Sequence, residues 1–488
     1  MDYIIIDSFF ETEGSLSQAH GQFVPLGLLI LHNVLKSHGY TGKTLLTQSD
    51  YETCLAGARE DRGPIKLVGI TASTWTRFDA IRKIKECRGL FPQALIVAGG
   101  FHFGNCAADA IRHIPELDLV VRGEGDEVIL DLMKLARGEG EISGIQGITY
   151  RGENGEPVEQ GPRLIVDVLP SLEFLDSTFT PENFAGNILH PDMPIPAMNV
   201  VAGRGCPFQC IFCSVRRVRY RPYPASKLVD LIERITSSFK IEGVKFWDDS
   251  LTINEAQVID LCNEIIRRQL KIFWFCDSRA DINLDLIPLM YAAGCRFISV
   301  GLETGSPKIQ KIVGKKVSNE QIFRFAAKCR EVGIRPFIFL MAGFPDETWE
   351  DLEMTVKVAQ ELSSRYQAIS GCAGIATILP GTRLEEIARE RGVLAPDFSW
   401  CQPYHNPLNA EYGQACDVPI YIEGITPQMF KEANRAMLSN YALSLPLKVF
   451  IKNALENLWS RDLSWTDKLN LGKKILASLA KKAFSSSH

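Results

Sequence analysis

The chain has 488 residues, 46% hydrophobic and 23% charged, ordinary globular usage that excludes a disordered chain, a collagen and a coiled coil. A formal net charge of -5 argues against a general nucleic-acid binder, and at about 150 residues per domain the length suggests roughly three domains. Among the longer apolar runs is Phe337 to Phe344, far short of the ~20 residues of a membrane span, and the acidic start Met1-Asp2-Tyr3 lacks a signal peptide's basic stretch, so a cytoplasmic protein is expected.

In chain order, Tyr3 to Ile6 reads as a strand and Leu26 to His38 as a helix ended by Gly39. Strands follow at Lys43 to Thr47, Leu67 to Ile70, Ala94 to Ala98 and Leu117 to Val121, with helices at about Arg77 to Leu90 and Asp126 to Ala136. Apolar strands alternating with helices predict a doubly wound parallel sheet. Such sheets bind ligands at the carboxyl ends of their strands. Here those ends carry Thr71 to Thr74, Gly99 to His102 and Gly123 to Glu127, with Ser73, Gly99, Gly100, Gly123 and Glu124 as candidate ligand contacts. Gly123-x-Gly125 lacks a third glycine and follows the last strand, so a dinucleotide fingerprint is absent. Ile148 to Arg151 and Pro157-Val158 read as a hairpin around Asn154-Gly155. The first domain is therefore expected over 1–165, and a connector rich in Pro, Asp and Ser over 166–195.

The alternation resumes with a longer period. Strands are expected at Asn199 to Ala202, Val244 to Trp247, Ile272 to Cys276, Phe297 to Val300, Pro336 to Leu340 and Gly374 to Leu379. Helical patterns lie between and after them: Ser226 to Ser237, Glu255 to Arg268, Leu284 to Ala293, Asn319 to Val332, Trp349 to Leu362 and Arg383 to Gly392. Six such units predict an open, partial (β/α)6 barrel over 196–400, with its chemistry at the carboxyl ends of the strands.

Thirteen cysteines, an odd number in a long chain, argue against a disulfide framework. Only Cys206, Cys210 and Cys213 cluster, as Cys-x3-Cys-x2-Cys just beyond the first barrel strand. Structural zinc wants four ligands, and a ferredoxin cluster uses four thiolates. Three thiolates suit a [4Fe–4S] cluster whose fourth iron stays open to a small molecule.

This segment, Cys206-Pro207-Phe208-Gln209-Cys210-Ile211-Phe212-Cys213, resembles the cluster loop of the radical SAM superfamily. The resemblance implies that S-adenosylmethionine chelates the open iron and is cleaved reductively to a 5′-deoxyadenosyl radical. It further implies adenine contact at Phe212, an acceptor for the methionine ammonium at Asp248 or Asp249, and a carboxylate partner at Arg279. Glu303, in Gly301-Leu302-Glu303-Thr304-Gly305, would take the ribose hydroxyls or the ammonium. The Asp pair reads equally well as a stretch before a helix cap at Asn254.

A parallel α/β domain before such a barrel resembles the cobalamin-binding radical SAM family. The matching segments are Pro25 to Leu31 with Ser37-His38-Gly39-Tyr40, Val97 to His102 and Val121 to Glu127. The Asp-x-His-x-x-Gly motif that supplies a cobalt-ligating histidine elsewhere is absent, and neither His102 nor His113 stands in that context. The resemblance implies cobalamin as a third cofactor and reduced flavodoxin or ferredoxin as electron donor. The reaction it implies is methylation of an unactivated carbon in a small-molecule or lipid-like substrate. A ring-forming or rearranging enzyme with the same cofactors is the alternative, and a non-catalytic iron–sulfur redox or sensor protein a third reading.

Residues 401–488 are expected to be helical, at Pro427 to Ser439, Leu447 to Trp459 and Lys468 to Phe484. Trp400, Tyr404, His405 and Tyr412 could line a pocket or pack a surface loop. Lys468, Lys473, Lys474, Lys481 and Lys482 beside Leu469, Ile475, Leu476 and Leu479 read as a solvated terminal helix, with contact to a membrane surface as the alternative.

Overall fold

The computed structural model describes residues 1–8, 25–60, 65–163, 188–190, 192–215, 217–414 and 417–444. Most of the 166–195 connector and both helices expected beyond 445 lie outside the described residues.

The first sheet ranks β1 (Tyr3–Ile6), β2 (Gly42–Leu45), β3 (Leu67–Thr71), β4 (Leu95–Gly99), β5 (Leu119–Val121), β6 (Ile148–Arg151) and β7 (Pro157–Glu159) in the order β2-β1-β3-β4-β5-β6-β7. Strands β1 to β5 are parallel, and the β6–β7 hairpin extends the sheet antiparallel. All four residues of β1 are buried, because helices cover both faces. Tyr3 and Ile5 face Leu28 and Leu35 of helix Leu26–Ser37 and Val128, Leu132 and Met133 of helix Val128–Ala136. Ile4 and Ile6 face Tyr51 and Leu55 of helix Gln48–Glu60 and Ala80 and Ile84 of helix Arg77–Leu90. Each such aliphatic side chain contributes about 1.5–3 kcal/mol by burial.

The second sheet comprises β8 (Ile188–His190), β9 (Met193–Val200), β12 (Gly243–Phe246), β13 (Phe273–Ser278), β14 (Cys295–Glu303), β15 (Arg335–Ala342) and β16 (Ile369–Ile375). A two-stranded ribbon, β10 (Gly203–Arg204) with β11 (Arg221–Pro222), branches off after β9. The order β16-β15-β14-β13-β12-β9-β8 holds six parallel strands in sequence order, an open partial barrel, with β8 antiparallel on its edge. The first barrel strand runs from Met193 to Val200 rather than from Asn199 to Ala202, and the last ends at Ile375 rather than starting at Gly374. Side chains alternate along the strands. Val244, Phe246, Trp274, Cys276, Ile298, Val300, Ile338 and Leu340 pack outward into one core beneath the helices. The intervening Lys245, Phe275, Asp277, Ser299, Phe337 and Phe339 therefore face the lumen.

The cluster that buries Ile4 and Ile6 continues across to the second sheet and joins the two. Phe103, Ala107 and Ile111 of the first domain pack in one buried group with Ile211, Ile309, Val313, Phe344, Ile378 and Leu384 of the barrel. Among the described residues, no helix is long and apolar enough to cross a membrane.

Candidate active site at the domain junction

The three-cysteine loop is built by a hairpin. Gly203 pairs with Pro222 and Arg204 with Arg221, and Val218 N–H donates to the Cys206 carbonyl at 2.9 Å. Arg217 N–H donates to the Phe208 carbonyl at 3.0 Å and Cys213 N–H to that of Cys210 at 3.2 Å. Gly205 is obligatory here: its φ is +95°, and a Cβ would sit 2.5 Å from the Arg219 carbonyl oxygen. Burial pushes the Cys206 and Cys210 thiols up and the Cys213 thiol to about 12.

Asp248 is buried beneath this hairpin. Its carboxylate accepts the Ala202 N–H at 2.8 Å and the Gly203 N–H at 2.7 Å, with the Tyr220 hydroxyl at 3.4 Å. Burial pushes that carboxyl up to about 7. Asp249, by contrast, is exposed at the rim and lies in the electrostatic field of Cys206 and Cys213. The ammonium-accepting role expected of either aspartate is thus open to Asp249, whereas Asp248 is turned to the backbone. Arg279 lies against the same loop. It is buried, forms a two-point pair with Asp281 at 2.9 and 2.7 Å, donates to the Lys315 carbonyl at 2.8 Å, and stacks 3.7 Å from the centre of the Phe208 ring. With Nε and Nη2 engaged in these bonds, it braces the loop through Phe208.

Glu303 ends β14 in the left-handed region, φ +69°, a strained conformation for a residue with a side chain. Its carboxylate receives Lys315 Nζ at 2.5 Å, directly over Gly301, where any Cβ would collide with both groups. Lys315 and Glu303 both act on the Cys210 thiol. Phe212 packs with Phe344 at 6.0 Å between ring centres, on the cluster joining the domains. Cys206, Cys210, Cys213, Asp249, Glu303 and Lys315 therefore converge at the carboxyl ends of β9 to β14. Lys315 went unanticipated, because nothing in its local sequence distinguishes it from a surface lysine.

On the facing side, Gly100 has φ +82°, and a Cβ there would strike Thr71 Oγ1. Gly123 has φ +86° and faces open space. Ser73 is exposed in a turn closed by its N–H to Thr76 Oγ1 at 3.1 Å. Gly99 ends β4 in extended backbone. Beside them, Trp75 and Phe101 are 39% and 64% exposed, and Trp247 at the end of β12 is 45% exposed. These three large aromatics stand exposed after strands β3, β4 and β12, and no periodic pattern in the sequence marks them.

Glu124 is turned to the cluster hairpin instead. It pairs with Arg221 and, at 3.5 Å, with Arg204, and Arg204 also pairs with Asp126. The loop after β5 thus grips both strands of the cluster hairpin, so the carboxyl ends of the two sheets meet at one junction. His102 is fully buried, with burial pushing its imidazole down to about 3, and offers no nitrogen to that surface.

Residues 15–133 match the B12 binding domain and residues 200–359 the radical SAM superfamily. An uncharacterized methyltransferase of Pyrococcus horikoshii is 30% identical over 332 residues, 67% of this chain and 70% of that protein. The chain belongs to the cobalamin-dependent radical SAM family. The anaerobic magnesium-protoporphyrin IX monomethyl ester cyclase of Rubrivivax gelatinosus is 29% identical over 70% of this chain; the match spans 62% of that longer protein. In fold, the radical SAM methyltransferase TsrM of Kitasatospora setae, solved with cobalamin and a [4Fe–4S] cluster, superposes with a TM-score of 0.69 at 17% identity over 100% of both chains. The cobalamin-dependent radical enzyme OxsB gives 0.66 at 15% identity over 99% of this chain and 72% of that one.

The cofactors of this radical SAM protein are those of its family: a [4Fe–4S] cluster, S-adenosylmethionine and cobalamin. The donor set agrees. A single ion would draw its ligand atoms to about 3.5–3.8 Å of one another. Among the described residues, the set of three metal-capable side chains gathered within 4.8 Å is His102, Cys106 and Cys401, not the loop cysteines. Three soft thiols held farther apart suit a multi-iron cluster. The glycine-cleared strand ends with Trp75 and Phe101 suit a large, flat, partly apolar ring.

Proposed function

We propose that this enzyme transfers a methyl group to an unactivated carbon of a substrate held in the barrel lumen, with Cys206, Cys210 and Cys213 as cluster ligands. The observation that carries the reading is the junction itself, where the Glu124 and Asp126 grip on Arg204 and Arg221 brings the two cofactor surfaces onto one space. When bound, the cluster supplies one-electron cleavage of S-adenosylmethionine, and cobalamin supplies a transferable methyl group.

The chain's own residues do the rest. Asp249 and Glu303 present carboxylates to the ammonium and ribose of the nucleoside, and Phe212 lies where adenine stacking is available. Asp248, Tyr220 and Arg279 hold the cluster loop in place. Ser73, Gly99, Gly100 and Gly123 let the corrin approach backbone, and Trp75 and Phe101 cover its apolar surface. In the lumen, Phe275, Phe337 and Phe339 shield a reactive intermediate from water. Lys245, kept down to about 8 by burial, and Asp277, pushed up to about 7 by burial, give the substrate polar anchors. The electron enters from a reduced flavodoxin or ferredoxin.

The test is anaerobic turnover with methyl-labelled S-adenosylmethionine and candidate extracts. Methyl transfer yields S-adenosylhomocysteine and a product heavier by one labelled methyl. 5′-Deoxyadenosine without either would favour the ring-forming reading, which three cyclase relatives support. No cleavage under strong reductant would leave a redox or sensor protein.

A further inference from the structure

We propose that His102, Cys106 and Cys401 supply three of the four ligands of a second metal site, for a divalent ion of the zinc class with a water in the fourth position, fastening the segment after the barrel to the first domain. The inference stands apart from the proposed reaction. Their ligand atoms lie within 4.8 Å of one another, and all three side chains are buried. Cys106 Sγ is 3.7 Å from His102 Nε2. Zinc–sulfur and zinc–nitrogen bonds of about 2.3 and 2.0–2.1 Å, opened to a tetrahedral angle, place such atoms about 3.5–3.8 Å apart. The donors are thus already close to their bound spacing.

The surroundings are ordered as a ligand set requires. His102 Nδ1 lies 3.3 Å from Thr74 Oγ1, and the tautomer that donates there leaves the Nε2 lone pair directed at the thiols. Cys401 is fixed from both sides. Its N–H donates to Ser399 Oγ at 3.1 Å, Ser399 Oγ donates to Asp109 at 3.0 Å, and the Trp400 N–H donates to the same carboxylate at 2.8 Å. Trp400 closes the site, its ring 6.0 Å edge-on from His102 and its Nε1 donating to Glu385 at 2.8 Å.

Charge selects the ion. Binding releases two thiol protons to solvent and oxidises nothing. A divalent ion with two thiolates and a neutral imidazole is neutral overall, which an apolar pocket tolerates. A monovalent ion would leave an uncompensated negative charge there. A hard cation such as magnesium would find no oxygen donors in the set.

The experiment uses the full chain with its cluster reconstituted, so that Cys206, Cys210 and Cys213 carry iron. Zinc is added in excess, unbound ion is removed by desalting, and metal content and the zinc X-ray absorption edge are measured. The expected result is about one zinc per chain with two sulfur and one nitrogen protein donors, lost in Cys401→Ser and retained in a buried-cysteine control, Cys329→Ala. No retained zinc, equal zinc in Cys401→Ser, or three sulfur donors (zinc in a vacant cluster loop) would each overturn the site. Should Cys401→Ser fail to fold, the donor count in the unsubstituted protein decides alone.

Discussion

Two neighbouring aspartates make the most direct test of how the site is built. Asp248→Asn keeps the shape but replaces one acceptor oxygen by an NH2 group facing a backbone N–H. Two charge-assisted bonds of about 1.5–3 kcal/mol each are at stake. Burial already pushes the Asp248 carboxyl to about 7, so removing the charge returns part of that loss, and the net expected destabilisation is about 2 kcal/mol. It falls on the hairpin whose Ala202 and Gly203 N–H groups the carboxylate holds. That corresponds to a roughly 30-fold larger open population. Hydrogen exchange over 202–223 should speed up by that factor, and iron loading on anaerobic reconstitution should fall. Asp249→Asn should leave both unchanged and instead raise the KM for S-adenosylmethionine about tenfold. Reversed phenotypes, with Asp249→Asn opening the hairpin and Asp248→Asn affecting only KM, would refute the assignment.

Gly205→Ala should abolish iron loading, because φ +95° and the Arg219 carbonyl at 2.5 Å leave the new Cβ no room; iron analysis beside circular dichroism separates this from misfolding. Arg204→Ala leaves Asp126, only 12% exposed, without its partner, and should cost about 2–3 kcal/mol in denaturant unfolding. A double variant with Asp126→Asn should cost less than the sum of the singles. The cofactor-free protein should lose stability as pH rises from about 5 to about 7.5. Asp248, Asp277 and Glu347, each raised to about 7, hold protons in the folded state that the unfolded chain has released, so their contribution is full below the unfolded carboxylate range and is lost as pH rises through 7. His102 and His190, lowered to about 3 and 4, act oppositely but are fewer. Denaturant midpoints across that range check the sign, and Asp277→Asn should flatten the slope.

What could be read from the sequence was what is local. Strand–helix alternation depends on neighbours within a few residues, and it pointed to the parallel sheet and the six barrel strands; the cysteine spacing is local in the same way. Helix Gln48–Glu60 escaped because only Tyr51 and Leu55, one turn apart, carry its buried face in the core. Glu124 was assigned to a ligand surface from its glycine-rich setting, but its arginine partner lies 97 residues away. Arg279 is read as a cofactor partner from its place after a strand, and its Nε and Nη2 go to Asp281 and the Lys315 carbonyl while it stacks on Phe208. For Glu124 the partners lie far away in sequence, which spacing cannot reveal.

The apolar seam of Phe103, Ala107 and Ile111 against Ile211, Phe344 and Leu384 has an implication for engineering. A corrinoid domain excised from this chain would carry a raw hydrophobic face, and one grafted from a relative would have to match that face residue for residue. The two halves are exchangeable only as a pair. On the proposed reading, altering what the enzyme acts on is a matter of repainting the lumen at Lys245, Phe275, Asp277, Ser299 and Phe339, not of recombining modules.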